Sequence, residues 1–144
     1  MIAIIKSKFN KQITNGLLFG CKQALIESKY NEDLIQIIEV PGAFEIPSIA
    51  QKLEKKDYSA IICIGAIIKG ETDHYHYICD SVSNGILRVS MNSQIPIIFG
   101  IITCQNINYA IKRSSTKDLS KNKGYEVGKS ALEMIKVFNE NNLS

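Results

Sequence analysis

Four isoleucine-rich apolar runs limit what this chain of 144 residues can fold into. A strand with one face in water alternates apolar and polar residues, whereas these runs are largely continuous. Their lengths, between five and nine residues, favour strands over helices. The pattern is typical of parallel strands that are covered on both faces. The predicted strands are Ile2–Lys6, Leu34–Val40, Ala60–Ile68 and Ile95–Ile102.

Segments whose apolar residues recur at helical spacing lie between and after these runs. Three such faces are Ile13, Leu17, Cys21, Ala24 and Leu25; Tyr75, Ile78, Cys79, Val82, Ile86 and Val89; and Val127, Ala131, Met134, Ile135 and Phe138. Strand and helix therefore alternate. This predicts an α/β fold, a three-layer α/β/α sandwich with a four-stranded parallel sheet, flavodoxin-like, with right-handed crossovers. No linker or repeat is evident, so we expect residues 1–144 to form a single domain.

The charge and the cysteines narrow the classes of function. The net charge of +3 is small and the lysines are scattered, so neither nucleic-acid binding nor membrane binding is expected. Lys6 and Lys8 interrupt the first apolar run, and we expect no signal peptide. The cysteines form no C-x-x-C motif, so free and mostly buried thiols in a reducing, cytoplasmic compartment are favoured over a thiolate nucleophile. They are Cys21, Cys63, Cys79 and Cys104.

Ligands of open parallel sheets bind beyond the carboxyl ends of the strands, which makes the segments after the predicted strands informative. They contain, in order, "SKFN", "VPGAFEIP", "IKGETDH" and "FGIITCQN". None of them is the glycine-rich fingerprint of dinucleotide binding, a P-loop, a serine-esterase elbow or an H-E-x-x-H zinc motif. The chain therefore offers polar and aromatic residues at the strand ends without a common nucleotide or hydrolase signature.

His74 is the first candidate for chemistry. Gly70 ends the third strand and Glu71, Thr72 or Asp73 can cap the following helix, which places His74 in its first turn. The positive end of the helix dipole disfavours the imidazolium there, so a neutral imidazole could accept and return a proton. The alternative is a partly exposed histidine that caps or packs. His76 lies roughly 200° around the helix, so we expect no metal site.

Three further features are ambiguous from the residues alone. Pro41-Gly42 predicts a turn before a helix over Ile46–Lys55, with Ala43, Phe44 and Glu45 at its N-terminus, where free N–H groups could bind the carbonyls of a heterocycle. Phe9 could stack on a flat ring or cover the core. Arg113, after a predicted helix over Asn106–Ile111, could bind phosphate or lie on the surface, and the polar stretch Arg113–Gly124 separates it from the last helix.

Taken together, the motifs resemble those of the lumazine synthase family. The matching segments are "FN", "VPGAFEIP", "GAIIKGETDHYHYI", "PIIFGIIT", the spaced "AI-K-R" and "NKG", and they run nearly end to end. The resemblance implies condensation of 5-amino-6-(D-ribitylamino)uracil with 3,4-dihydroxy-2-butanone 4-phosphate. The products would be 6,7-dimethyl-8-ribityllumazine, phosphate and water, in the penultimate step of riboflavin biosynthesis. No cofactor and no metal is implied.

The resemblance also implies roles for residues at the matching positions. His74 would be the acid/base. Glu71 and Thr72 would contact the butanone phosphate, and Arg113 of a neighbouring subunit would bind its phosphate group. The pyrimidine and its ribityl chain would be held by Phe9, Ala43, Phe44, Glu45, Ala66, Ile67 and Ile68, together with Phe99 of the neighbour.

Two departures from the family pattern bear on assembly. The family resemblance implies a homo-oligomer, either a pentamer or a sixty-subunit shell of pentamers. The segment "SSTKDLSKNKG" is about two residues longer than the compact glycine-rich turn usual there, and little sequence precedes the first strand. Longer segments at this place accompany free pentamers in the family, so a pentamer is favoured over the shell.

Two other functions remain as alternatives. A flavodoxin-like carrier would bind a flavin without turnover, although "SKFNKQIT" lacks a Ser/Thr/Gly cradle for the phosphate. An archaeal-type riboflavin synthase would convert lumazine into riboflavin on a related fold. The intact "VPGAFEIP" and "KGETDH" favour lumazine synthesis over both.

Overall fold

The computed structural model describes the chain from Met1 to Ser144. Its strands are β1 (Ile2–Ser7), β2 (Ile35–Val40), β3 (Ala60–Ile68) and β4 (Ile97–Cys104). Its helices are α1 (Lys11–Glu27), α2 (Ile46–Leu53), α3 (His74–Asn92), α4 (Ile107–Arg113) and α5 (Lys123–Glu140). Short 3₁₀ turns span Glu32–Leu34, Ala43–Glu45 and Leu119–Lys121.

The four strands form one parallel sheet in the order β2-β1-β3-β4, as predicted. Strand β3 has the predicted limits, whereas β4 begins and ends two residues later than predicted. Pro96 has no backbone N–H for a ladder, and a local turn precedes it, because the Ser93 hydroxyl donates to the Ile95 carbonyl at 2.9 Å. Ile95 is therefore part of the entry to the strand.

Both faces of the sheet are covered by helices, which explains the continuously apolar strands. Ile2 and Ile4 point into a core shared with α1, α4 and α5, whereas Ala3 and Ile5 point into a core shared with α2 and α3. The predicted three-layer α/β/α sandwich is thereby confirmed. One residue differs: Met134, predicted on the buried face of the last helix, is exposed.

Close packing of α1 against α5 fixes the entry to the last helix. A Cβ on Gly124 would lie 1.8 Å from the Leu17 carbonyl oxygen, and one on Gly20 would lie 2.1 Å from the Asn122 Oδ1. Only a residue without a side chain permits these approaches. Asn122 is consequently buried against α1, where its Nδ2 donates to the Gly16 carbonyl at 3.0 Å.

None of the helices combines the length and the apolar character needed to cross a bilayer.

Candidate active site

The loop after β1 joins three strand ends at the carboxyl edge of the sheet. The Lys8 N–H donates to Val40 at 2.8 Å and the Phe9 N–H donates to Pro41 at 3.1 Å, both beyond or at the end of β2. Asn10 Nδ2 reaches the other side and donates to the Ala66 carbonyl of β3 at 3.2 Å. Asn10 has a φ of 58°, in the left-handed region that asparagine tolerates better than most residues. The loop thus bridges the crevice where strand order reverses, between β1 and β3.

Two phenylalanines are exposed at this edge, although apolar rings are normally buried. Phe9 is 72% exposed and Phe44 is 60% exposed. Ala43, Phe44 and Glu45 were predicted at the start of a helix with free N–H groups. They form a separate 3₁₀ turn instead, in which the Glu45 N–H donates to Gly42 at 3.2 Å and is therefore not free.

Glu45 also makes a hydrogen bond within its own turn, which the sequence did not indicate. Its Oε2 accepts a hydrogen bond from the Gly42 N–H at 3.1 Å, which closes the turn that presents Phe44. Pro47 occupies the first turn of α2, as predicted, and α2 ends at Leu53, two residues before the predicted end.

The end of β3 offers backbone rather than side chains. Ala66 and Ile67 are buried and Ile68 is half-buried, so their side chains belong to the two cores. The strand continues into a link with β4, because the Lys69 N–H donates to the Cys104 carbonyl at 3.0 Å. A ligand at this edge would therefore meet the backbone of β3 rather than these side chains, and the Ala66 carbonyl already accepts from Asn10.

His74 is the first residue of α3 and is exposed, as its predicted place in the first turn requires. The expected capping is not present: Asp73 occupies the N-cap position and its side chain makes no capping hydrogen bond. Thr72 instead contacts the imidazole, with its Oγ1 against Nδ1 of His74. This contact leaves Nε2 as the ring atom that can exchange a proton with a ligand.

Arg113 lines a separate cavity of about 410 Å³ beside β4. Its Nη1 lies 3.9 Å from the Cys104 sulfur, and no carboxylate pairs with its guanidinium. Phe9, Phe44 and His74 do not line this cavity. Its walls are Ile101, Ile102, Thr103, Arg113, Ser120, Lys121, Asn122, Lys123 and Glu126.

Phe99 also lies apart from the carboxyl edge. It is 41% exposed on the edge strand β4, where it pairs with Cys63, whereas Cys104 at the end of β4 pairs with Ile68. Phe99 precedes Cys104 by five residue steps along the strand, a distance of roughly 16 Å. One chain therefore brings Phe9, Phe44 and His74 to the carboxyl edge and Arg113 beside Cys104 at the end of β4, whereas Phe99 lies farther back along β4.

The thiols are free and three of the four are buried, as predicted. Burial raises the pKa of Cys21 and of Cys63 to about 12 each, and it also raises the pKa of the half-buried Cys79. Desolvation disfavours a thiolate at these three positions at neutral pH. No group of three or more His, Cys, Asp or Glu side chains is arranged to hold a metal ion.

The protein is an α/β protein with a flavodoxin-like parallel sheet. Exposed aromatic rings, an exposed imidazole and an unpaired guanidinium lie around the edges of the sheet and form the candidate active site. The family model described as 6,7-dimethyl-8-ribityllumazine synthase matches residues 1–139, a range that includes every candidate residue. The chain therefore belongs to the 6,7-dimethyl-8-ribityllumazine synthase family, whose members are transferases of riboflavin biosynthesis.

Proposed function

We propose that the chain condenses 5-amino-6-(D-ribitylamino)uracil with 3,4-dihydroxy-2-butanone 4-phosphate to give 6,7-dimethyl-8-ribityllumazine, phosphate and water. The observation that carries this proposal is the family match over residues 1–139. The exposed rings, imidazole and guanidinium supply the groups that a flat pyrimidine, a proton-transfer sequence and a phosphate require.

The proposed reaction is a series of proton transfers around C–N bond formation. The 5-amino group attacks the ketone, and the resulting carbinolamine loses water to give an imine. Phosphate then leaves by elimination, after which the ribityl-bearing nitrogen closes the second ring with loss of another water. His74 moves protons through Nε2, while Thr72 holds Nδ1. A positioned general acid/base contributes about 10²–10⁴-fold, and holding the two substrates together supplies much of the rest.

The pyrimidine stacks on Phe9 in this proposal. The edge of the pyrimidine and the ribityl chain contact the turn Ala43–Glu45. They also contact the backbone of Ala66, Ile67 and Ile68. Support comes from the exposure of both rings and from the Asn10 bridge, which keeps the Phe9 loop beside β3.

The butanone phosphate meets the start of α3 and the guanidinium of Arg113. Glu71 and Thr72 contact it through backbone N–H groups, because the carboxylate of Glu71 would repel a phosphate dianion. Helix α3 begins at His74, directly after this loop. The positive end of its dipole therefore points toward the loop.

We further propose a cytoplasmic homopentamer of single-domain chains, in which Phe99 and Arg113 complete the site of a neighbour. The distance between Phe99 and the carboxyl edge supports sharing of this kind, as do the exposed apolar side chains of Leu87 and Met91 on α3. A heterologous interface whose rotation closes gives a ring. The longer, lysine-rich α4–α5 connection favours the free pentamer over a sixty-subunit shell.

Light scattering tests the assembly. A pentamer would have a mass of about 80 kDa, five times the 16.1 kDa chain. A mass near one megadalton would show that the shell forms, and a monomer that turns over would exclude shared sites.

One assay tests the reaction against its alternatives. The two substrates are mixed with the protein and lumazine fluorescence is followed, and lumazine alone is then supplied in a second reaction. Lumazine formation in the first supports the proposal. Riboflavin formation in the second indicates a riboflavin synthase, and flavin binding without either turnover indicates a carrier.

A further inference from the structure

The cavity beside β4 is lined by a lysine to which the family resemblance gives no role. Lys121 lies in the longer connection between α4 and α5 and lines the cavity together with Arg113 and Lys123. We propose that Lys121 binds the phosphate group of the butanone phosphate and raises the affinity of the site for dianions. This inference rests on the proposed function.

The connection is anchored so that Lys121 has a defined place. The Asp118 Oδ1 accepts hydrogen bonds from the Ser120 N–H at 3.1 Å and the Ser120 hydroxyl at 2.5 Å, which caps the turn Leu119–Lys121. The next residue, Asn122, is buried and donates to the Ser115 carbonyl at 2.9 Å as well as to α1. Lys121 therefore follows a capped turn and precedes a buried anchor, which confines its backbone to the rim of the cavity.

The charges around the cavity leave Lys121 available to a ligand. Lys123 is paired with Glu126 at 2.7 Å, whereas Lys121 lies 3.8 Å from the Oδ2 of Asp118, whose other carboxylate oxygen accepts from Ser120. The Lys121–Asp118 pair is long and exposed, so it holds Lys121 only weakly. Arg113 has no carboxylate partner. The Lys121 side chain is 69% exposed and can rotate without losing packing.

The lining therefore carries an excess of positive charge toward its open side. Two cations without a firm partner match the two negative charges of a phosphate monoester near neutral pH. Arg113 provides a planar fork for two phosphate oxygens, and Lys121 adds a mobile point charge. We expect Lys121 to act on binding of the phosphorylated substrate and of released phosphate, and not on the pyrimidine.

Lys121→Gln tests the inference, with Lys121→Arg as the charge-preserving variant. Lys136→Gln is the matched control, because Lys136 is 72% exposed in a similar loose pair with Glu140 at 3.7 Å. It lies 13 residues along the sequence from Lys123 on the same helix, or roughly 20 Å away. Steady-state kinetics and competitive inhibition by inorganic phosphate are measured for each variant.

We expect Lys121→Gln to raise the KM for the butanone phosphate and the Ki of inorganic phosphate together, by roughly 3–10-fold. The kcat and the KM for the pyrimidine should stay within about twofold of wild type. Lys121→Arg and Lys136→Gln should resemble wild type. A structural role for Lys121 would instead lower thermal stability and affect both substrates.

Failure of this inference and failure of the proposed function give different results. Normal wild-type turnover with an unchanged Lys121→Gln variant overturns the inference and leaves the proposed function intact. Absence of wild-type turnover removes the proposed function, and phosphorus NMR of inorganic phosphate then decides about the cavity. Weaker phosphate binding by Lys121→Gln than by Lys136→Gln supports the site, and equal binding overturns it.

Discussion

The two connections that carry the candidate ionic groups differ in how they are held. The α4–α5 connection is fixed by buried Asn122, which bonds to Gly16 and Ser115. The β3–α3 connection, residues 69–73, is exposed and begins at the Lys69 link to β4. The first lies beside a cavity lined by Arg113, Lys121 and Lys123, whereas the second leads to the exposed imidazole of His74. One fold can thus hold one connection by buried hydrogen bonds and leave another exposed, and the proposed function places the phosphate at the first and the proton transfers at the second.

The largest expected effect comes from disturbing the fixed connection. Gly124→Ala would place a Cβ 1.8 Å from the Leu17 carbonyl, so α5 would have to move away from α1. We expect a loss of about 2–4 kcal/mol in the free energy of unfolding, measured by urea denaturation. Gly70→Ala in the open connection is the control, because nothing lies within 4 Å of its Cβ position. Equal stabilities of the two variants would contradict the proposed difference between the connections.

The second effect concerns the open connection itself. We expect His74→Ala to lower kcat by roughly 10–10³-fold with unchanged thermal stability, because substrates held together can still react slowly. His76→Ala is the matched control, since His76 is also exposed but packs edge-on against Tyr75 at 5.2 Å between ring centroids. Full turnover of the His74 variant, or an equal loss in both variants, would remove His74 from the proton transfers.

The layers of this fold could be predicted because they depend on local patterns. Continuous apolar runs identified all four strands, and three-residue to four-residue spacing identified the faces of α1, α3 and α5. The predicted helix limits were wrong where polar side chains cap a helix or begin it, because apolar spacing does not mark these positions. Asn106 was placed inside a helix but caps α4, with its Oδ1 accepting from the Asn108 N–H at 2.8 Å. Lys123 and Gly124, placed in the polar break, already belong to α5.

The anchors of the candidate site could not be predicted because their partners are remote in sequence. Asn122 bonds to a carbonyl 106 residues away, and Asn10 bonds to one 56 residues away. Both residues lie in quoted motifs, "FN" and "NKG", but neither motif shows what its asparagine bonds to. Likewise, the distance of Phe99 from the carboxyl edge follows only once the register of β4 against β3 is known. Motif order predicted the candidate residues, but not which of them share one edge of a single chain.

The third prediction concerns the cavity beside β4, where a substitution can remove a charge without disturbing the fold. Arg113→Ala should raise the KM for the butanone phosphate by roughly tenfold or more, because a bidentate charged contact to phosphate is lost. The KM for the pyrimidine is the internal control and should change far less. If both constants rise equally, or neither rises, the guanidinium is structural and the phosphate binds elsewhere.

The smallest expected effect lies between β1 and β2, where a lysine of β1 is buried rather than exposed. Lys6 is 3% exposed, pairs with Glu39 at 2.9 Å and donates to Asn15 at 2.7 Å, in contrast to the loosely paired Lys121. The hydrogen bond and charge of Lys6 hold the pKa of Glu39 below its usual value. A carboxyl whose pKa is lowered by folding contributes stability above its unfolded pKa, and this contribution is lost as the pH falls through the folded pKa.

We therefore expect Glu39→Gln to lower the thermal midpoint at pH 7, where the wild-type carboxylate is charged and Lys6 would keep only Asn15 as a partner. The difference from wild type should shrink as the pH falls below about 4, because the wild-type carboxyl then becomes neutral as well. Thermal unfolding of both proteins across this range measures the difference. A gap that stays constant between neutral and acid pH would show that packing of the Glu39 side chain, and not its pairing with buried Lys6, is responsible. The corresponding Asp118→Asn variant should show a smaller gap, because the Lys121–Asp118 pair is long and exposed and an asparagine Oδ1 can still accept from the Ser120 N–H. A gap as large as that of Glu39→Gln would contradict the difference between a lysine fixed by burial and one left free for a ligand.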